Sequence, residues 1–361
     1  MKIATILGAR PQFIKAAPVS KALADRNGIE EVLVHTGQHF DAAMSDVFFR
    51  EMAIPEPRHH LGIGGLAHGA MTGRMLEAIE GVLLAEKPEW VMVYGDTNST
   101  LAGALAAAKL KIPVAHVEAG LRSFNRAMPE EINRVVADHV STLLFAPTDT
   151  AVRNLLAEGV ARPAIALTGD VMFDAALIFA GAAEQHSRVL QRLGLTRKGY
   201  LLATVHRAEN TDNAERLGAV FRGLAAASAQ HPVVLPLHPR TKAVLVATGF
   251  QPPQTLRIVE PVGFLDMVML EKHARLIATD SGGVQKEAFF HKVPCVTLRE
   301  ETEWVELIDI GANRLAPPRD AGTISEAIAA ALDTPEKVFI NEGLYGDGNA
   351  AQKIAARLAA D

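Results

Sequence analysis

Lys2-Ile3-Ala4-Thr5-Ile6-Leu7 is a short apolar run that meets Gly8-Ala9-Arg10-Pro11-Gln12-Phe13-Ile14-Lys15. The first stretch reads as a buried strand, the second as a glycine turn that opens a helix. The same rhythm recurs at Glu31 to His35, Trp90 to Tyr94, Val114 to Val117 and Leu143 to Ala146. Each run is followed by glycine or a polar turn and then a helical pattern, as in Leu101 to Lys111 and Glu131 to Ser141. Continuous apolar strands joined by helices predict a parallel sheet covered on both faces. The rhythm restarts after Ala164 to Leu167 and Gly169-Asp170. Val171 to Ala183 reads as a helix, and strands are expected at Tyr200 to Thr204, Val233 to Leu237, Leu256 to Val259, Leu276 to Thr279 and Cys295 to Leu298. The expected fold class is therefore α/β, with two Rossmann-like doubly wound parallel-sheet domains over residues 1–169 and 170–345. Asn349 to Asp361 reads as a short amphipathic helix. Ligands of such sheets bind outside the carboxyl ends of the strands, which predicts an interdomain cleft.

Composition narrows the function. The chain has 361 residues, 49% hydrophobic and 21% charged, with a net charge of −5. Disorder, collagen and coiled coil are excluded as the main reading. The charge offers no general attraction to nucleic acid or an anionic membrane, so neither is an expected partner, and an anionic ligand must meet a local site. The apolar run Leu101 to Ala108 stops at Lys109, short of the roughly 20 residues of a membrane span. Met1 to Leu7 is too short for a signal peptide, so a cytoplasmic location is expected. Cys295 is the lone cysteine and reads as an inert core thiol in Val293-Pro294-Cys295-Val296-Thr297-Leu298.

The polar motifs fall at the strand ends. Gly8 to Lys15 puts a glycine turn at a helix start, which suits a phosphate, and Arg10 and Lys15 add two cations. The bland alternative is a plain turn with solvated charges. Asp96, in Gly95-Asp96-Thr97-Asn98-Ser99, either caps the next helix or serves as a catalytic acid. In His116-Val117-Glu118-Ala119-Gly120-Leu121-Arg122, alternation places His116 and Glu118 on one side. Pro129-Glu130-Glu131-Ile132-Asn133-Arg134 opens a helix, where glutamates are ordinary dipole partners. Three loops offering carboxylates at one sheet edge are less ordinary, because clustered acids raise one another's pKa and divide acid and base roles.

The second half repeats the placement. Thr204-Val205-His206-Arg207-Ala208-Glu209-Asn210 ends a strand, and His238-Pro239-Arg240 reads as a shaping or binding element. Thr279-Asp280-Ser281-Gly282-Gly283-Val284-Gln285-Lys286-Glu287 is the strongest signal. Strand, Ser-Gly-Gly and helix aim backbone N–H groups and a hydroxyl at an anion, here a diphosphate. Glu287, one turn into the helix, suits a ribose diol. Gly62-Ile63-Gly64-Gly65-Leu66-Ala67 fits the loose dinucleotide pattern but follows no expected strand and is discounted. His35, His39, His59 and His60 lack metal-site spacing, so no metal and no other cofactor is expected.

Taken in order, Gly8 to Lys15, Thr36-Gly37-Gln38-His39, Gly95 to Ser99, Val117 to Arg122, Pro129 to Arg134, His206 to Glu209 and Asp280 to Glu287 resemble the non-hydrolysing UDP-N-acetylglucosamine 2-epimerase family over nearly the whole chain. The resemblance implies the two-domain GT-B arrangement, with the last helix, residues 346–361, crossing back to the N-terminal domain. It implies interconversion of UDP-GlcNAc and UDP-ManNAc by elimination of UDP to 2-acetamidoglucal and re-addition after C2 is protonated on the opposite face. Asp96, Glu118, Glu130 and His206 become the catalytic candidates, with Glu131 a lesser substitute for Glu130. Arg10, Lys15, His206, Arg207, Ser281, Gly282, Gly283 and Glu287 become the substrate-binding candidates. A UDP-sugar substrate, a homodimer and a role in envelope polysaccharide or lipopolysaccharide precursors are family expectations.

Two departures bear on the sugar. The common pattern has glutamate where this chain has Lys286, and Thr-Glu-Arg-Pro-Glu where it has Thr302-Glu303-Trp304-Val305-Glu306. This looks like the subgroup acting on UDP-2,3-diacetamido-2,3-dideoxy-glucuronate, whose carboxylate would meet Lys286 and whose extra acetamido group would pack on Trp304. The alternative is a solvated Lys286. Gln38-His39-Phe40-Asp41 keeps the first two residues of the segment where some members are activated by a second substrate molecule, but not the polar residues that follow. Other readings are a hydrolysing relative, a GT-B glycosyltransferase and a nucleotide-sugar sensor. The acid cluster argues against the glycosyltransferase, since transfer at C1 needs no base at C2; a sensor would share the binding loops, and substitution of Asp96 or His206 would leave its behaviour unchanged.

Overall fold

A computed structural model of the chain describes residues 1–38, 54–340 and 343–360. His39, Phe40 and Asp41 lie outside the described residues. The chain divides into two compact units, Met1–Ala175 with Glu342–Asp361, and Ala176–Asn341.

The first unit is built on a parallel sheet of seven strands. They are β1 (Lys2–Leu7), β2 (Glu30–His35), β3 (His59–His60), β4 (Trp90–Tyr94), β5 (Val114–Val117), β6 (Leu143–Ala146) and β7 (Ile165–Leu167), in the order β3-β2-β1-β4-β5-β6-β7. The chain starts mid-sheet, winds to one edge, returns to β4 and winds to the other. That order places a switch point between β1 and β4, where consecutive connections run to opposite faces and leave a crevice. Helices His68–Glu86 and Asn98–Lys109 cover one face, burying Met75, Ile79, Leu83, Ala102 and Ala106 against Ile6, Val91 and Val93. The terminal helix Ala350–Leu358 packs on helix Arg10–Ala24, and the Asp174 carboxylate accepts its first N–H groups, from Ala350 at 3.2 Å and Ala351 at 2.9 Å.

The second unit repeats the winding with β8 (Leu201–Thr204), β9 (Val233–Pro236), β10 (Leu256–Val259), β11 (Leu276–Thr279), β12 (Cys295–Thr297) and β13 (Asn313–Leu315). Their order is β10-β9-β8-β11-β12-β13, all parallel. Leu201, Phe221, Leu235, Leu276 and Ile324 sit in its core. Cys295 is buried there, and burial pushes its thiol up to about 12. Two parallel doubly wound sheets are the fold class the sequence predicts.

The departures from expectation are local. Two short edge strands, β3 and β13, escape a reading based on apolar runs. β3 is a pair of histidines and β13 opens with Asn313 and Arg314 before Leu315; Asn313 is held through its side chain by Thr297 at 3.0 Å and Gln285 at 3.0 Å. Because β3 exists, the glycine run at Gly62 does follow a strand. Gly64 serves backbone packing, since a Cβ there would lie 2.4 Å from the Gly37 carbonyl oxygen, while Gly62 (φ 64°) and Gly65 (φ 68°) supply left-handed turns. Helix Asn98–Lys109 begins three residues before Leu101, because Thr97 caps it by accepting Thr100 N–H at 3.3 Å.

Gly8 has a packing reason of its own. A Cβ there would sit 2.0 Å from Ser99 Oγ and 2.2 Å from Thr36 Oγ1, two hydroxyls bonded to each other at 2.8 Å. Gly8→Ala is therefore expected to lower unfolding stability by about 2 kcal/mol, the usual cost of overpacking. Urea denaturation of the purified variant checks this; a midpoint equal to wild type would show that the two hydroxyls move aside freely.

Candidate functional site

The first unit gathers its candidate residues beyond β1, β4 and β5. Asp96 follows the left-handed Gly95 (φ 62°), which turns the chain sharply off β4. Its carboxylate is not the helix cap; Thr97 is. Instead it takes a 2.6 Å bond from Arg134 while staying 36% exposed. Burial pushes the Asp96 carboxyl up, Arg134 and Lys15 pull it down, and Glu118 and Glu130 push it up again. The balance stands above the ordinary carboxylate value.

Glu118 lies past the end of β5 in a left-handed backbone (φ 68°), so strand alternation is not what places it. It pairs with Lys15. Its Oε2 passes Gly95 so closely that a Cβ there would be 3.2 Å away. His116, expected on the same side, is fully buried and reaches the Gly95 carbonyl instead. Glu130 makes no hydrogen bond or ion pair with any described residue, yet its charge is felt at Asp96. Glu131 has other work. Its buried carboxylate accepts Ser123 N–H at 2.9 Å, Ser123 Oγ at 3.0 Å and Phe124 N–H at 3.0 Å. That clamps the loop leading to Glu130 and withdraws Glu131 as a substitute for it.

The Gly8 turn is corrected as an anion cradle. The Gln12 side-chain oxygen already accepts the N–H groups of Gly8 at 2.8 Å and Ala9 at 3.0 Å. Lys15 is spent on Glu118, and Arg10 is exposed. Gln38 does a similar service, accepting Ser99 N–H at 3.0 Å and its hydroxyl at 2.8 Å.

The second unit places His206 beyond β8 and Ser281 beyond β11, on either side of its switch point. Asp280, fully buried, organises both loops. It accepts the N–H groups of His206 at 3.1 Å and Arg207 at 3.0 Å, and the Asn210 amide at 3.1 Å. The His206 ring is half-exposed and lies 5.0 Å from the ring of His238, whose Nδ1 caps the next helix by accepting Arg240 N–H at 3.1 Å. Burial pushes His206 below its usual value, against Asp280 and with Arg207 and Arg240.

Helix Gly282–Phe290 opens with Ser281 at its N-cap and no side chain capping it. None of the N–H groups of Gly282, Gly283 and Val284 meets an acceptor among the described residues. A Cβ on Gly283 would touch nothing within 4 Å, and one on Gly282 would come 3.7 Å from Arg207 and from Glu303. This helix start, unlike the one at Gly8, keeps donors directed at open space beside a guanidinium. Glu287 is half-buried on the next turn.

Lys286 is not a solvated helix residue. It is 2% exposed, with its ammonium 4.1 Å from the centre of the Trp304 ring. Trp304 is buried too and donates its indole N–H to the Gly282 carbonyl at 2.9 Å. Thr302, bonded to Gln285 at 2.6 Å, draws the same loop onto the helix. The two departures from the family pattern thus touch each other at the glycine helix start.

Sequence reasoning quoted Arg134 and Asp280 without giving either a role. Glu130 and Arg134 stand four apart on one helix face, which is the signal that pairs them with one neighbourhood. Asp138, four further on, continues the face. Among the described residues no cluster of His, Cys, Asp and Glu is set to hold a metal ion, and no helix is long and apolar enough to cross a membrane.

Two doubly wound sheets with polar loops at both switch points define an α/β protein of the GT-B class. The model of the UDP-N-acetylglucosamine 2-epimerase family matches residues 21–359, and the chain belongs to that family. It is 52% identical to the UDP-2,3-diacetamido-2,3-dideoxy-D-glucuronate 2-epimerase of Pseudomonas aeruginosa, over 99% of each chain. It is 48% identical to the UDP-N-acetylglucosamine 2-epimerase of Methanocaldococcus jannaschii, over 98% of each. The crystal structure of the UDP-GlcNAc 2-epimerase of Methanocaldococcus jannaschii in complex with UDP-GlcNAc and UDP matches with a TM-score of 0.91 at 44% identity, covering 100% of both chains.

Proposed function

We propose that the chain is a non-hydrolysing nucleotide-sugar 2-epimerase that interconverts UDP-GlcNAc and UDP-ManNAc. The observation that carries this reading is the grouping of Asp96, Glu118 and Glu130 with Lys15 and Arg134 at one sheet's switch point. The chemistry needs such a group. The proton on C2 is not acidic, because no carbonyl neighbours it, so the sugar must first lose UDP. The C1–O bond breaks with its electron pair leaving on the diphosphate, and the C2 proton goes to a carboxylate. Carbons 1 and 2 are then joined by the double bond of 2-acetamidoglucal. In return, a second group delivers a proton to the opposite face of C2 and the UDP oxygen adds back to C1. Two acid/base groups are required, and three neighbouring carboxylates, one of them with raised affinity for a proton, supply them.

In this reading Ser281, Gly282, Gly283 and Arg207 hold the departing diphosphate, with Arg10 as a further cation, and Glu287 the ribose. His206, kept neutral by its surroundings, serves the leaving group or acts as an acid/base. A second reading keeps the mechanism and changes the sugar to the 2,3-diacetamido uronate. The buried Lys286–Trp304 stack and the 52% identity to the Pseudomonas aeruginosa epimerase favour it.

Proton NMR in D2O with each UDP-sugar tests both. Growth of UDP-ManNAc signals with deuterium at C2 is the expected result. Exchange on the uronate alone transfers the name to the second reading. Release of UDP with free N-acetylmannosamine would point to a hydrolysing enzyme, and silence with both sugars would sink the proposal.

A further inference from the structure

Beneath the carboxylates runs a buried polar chain that the proposed reaction does not use. Asp138, on helix Pro129–Val140, has a fully buried carboxylate. Its Oδ2 accepts Gly120 N–H at 3.1 Å and lies 2.7 Å from the Arg122 guanidinium. Arg122 is gripped in turn by both Glu158 oxygens at 2.7 Å. The other Asp138 oxygen is 2.7 Å from His116 Nδ1, and His116 Nε2 is 2.7 Å from the Gly95 carbonyl oxygen.

These contacts fix the protons. A backbone carbonyl only accepts, so Nε2 carries a hydrogen. The Asp138 carboxylate meets Gly120 N–H and the Arg122 guanidinium, groups that can only donate. Asp138 is therefore an acceptor as well, and Nδ1 donates to it. Both ring nitrogens thus face acceptors, in a cluster that also holds Arg122 and Glu158, and paired opposite charges are how buried charge is tolerated.

The placement gives this ring a task. Gly95 N–H donates to the Val117 carbonyl at 3.0 Å, and the Gly95 carbonyl accepts from His116. That carbonyl shares a rigid peptide plane with Asp96 N–H. At the other end Asp138 pins Gly120, two residues past Glu118. One buried pair thus anchors the turns that present both carboxylates.

We propose that His116 is a positioning residue: an imidazolium clamped by Asp138 that fixes the Gly95–Asp96 peptide and with it the spacing of Asp96 and Glu118. The roles of Asp96 and Glu118 rest on the proposed reaction; the state of the ring does not. The test compares the wild type, His116→Asn and His116→Gln, since the longer glutamine amide reaches the Gly95 carbonyl and asparagine does not. Nitrogen-15 NMR of histidine-labelled wild type is expected to show one ring with both nitrogens protonated at neutral pH, absent from His116→Gln. An unprotonated nitrogen on that ring overturns the proposal. Carbon-13 titration of Asp96 is expected to shift in His116→Asn and return toward wild type in His116→Gln; one midpoint in all three also overturns it. Both readouts need no turnover, so they stand apart from failure of the proposed reaction. With turnover, kcat is expected to fall about 100-fold in His116→Asn at near-constant KM, the order that a misplaced catalytic group costs, and to recover at least about tenfold in His116→Gln. Equal losses in both variants would mark a mere core defect.

Discussion

Asp96→Asn is expected to lower kcat by about 1000-fold while the protein stays folded. General acid–base groups contribute roughly 100- to 10,000-fold, and the Asp96 carboxyl has raised affinity for a proton. Asparagine keeps the size of the side chain and one oxygen for Arg134, so packing changes little. It removes the charge and the exchangeable proton. Steady-state epimerisation assays, with the thermal midpoint followed in parallel, check the outcome. Activity within tenfold of wild type would reduce Asp96 to a structural partner of Arg134. A large loss of kcat with an unchanged midpoint would separate chemistry from folding.

Exchanging the pair Lys286 and Trp304 for the common family residues is expected to shift sugar preference away from the diacetamido uronate and toward UDP-GlcNAc. Lys286→Glu alone would place an anion in a site that is 2% exposed, which argues for changing both partners together. In Lys286→Glu/Trp304→Arg the guanidinium and the carboxylate pair with each other in place of the cation–ring stack. The ratio of kcat/KM for the diacetamido uronate to that for UDP-GlcNAc is expected to drop about tenfold, in line with the roughly 1–2 kcal/mol of a desolvated cation–ring contact. An unchanged ratio in a folded double variant would show that the stack only builds the helix start. The Lys286 ammonium faces the Trp304 ring, a placement different from the direct contact with a sugar carboxylate that the sequence suggests.

Much of the fold is legible in the sequence for a simple reason. Strands buried on both faces must be apolar throughout, so Lys2 to Leu7, Trp90 to Tyr94, Val114 to Val117, Leu143 to Ala146 and Leu276 to Thr279 mark themselves, and the helices between them compel a parallel sheet. β3 and β13 lie at the sheet edges, where burial is partial and polar side chains are allowed, so no apolar run announces them. The candidate acids are legible by position, since every one follows a strand that the pattern identifies.

Function at those positions is less so. A glycine turn before a helix looks alike at Gly8 and at Ser281, and only the folded chain separates them. Gln12 comes back from the first turn to fill the N–H groups at Gly8, while those of Gly282 and Gly283 stay open. Neighbouring glutamates look alike as well. Glu131 turns inward to three donors of the 123–124 loop, and Glu130 does not.

The sequence by itself determined the two doubly wound sheets, the strand ends that carry polar residues and the family to which they belong. All three rest on periodicity and on order along the chain, which are local properties. Tertiary structure alone decided which charges are paired. Lys15 meets Glu118 from 103 residues away, Asp96 meets Arg134 from 38, and Lys286 slides under Trp304. Whether a charge is free to act depends on what reaches it through space, and in a parallel sheet those partners arrive from strands and helices far apart in the chain.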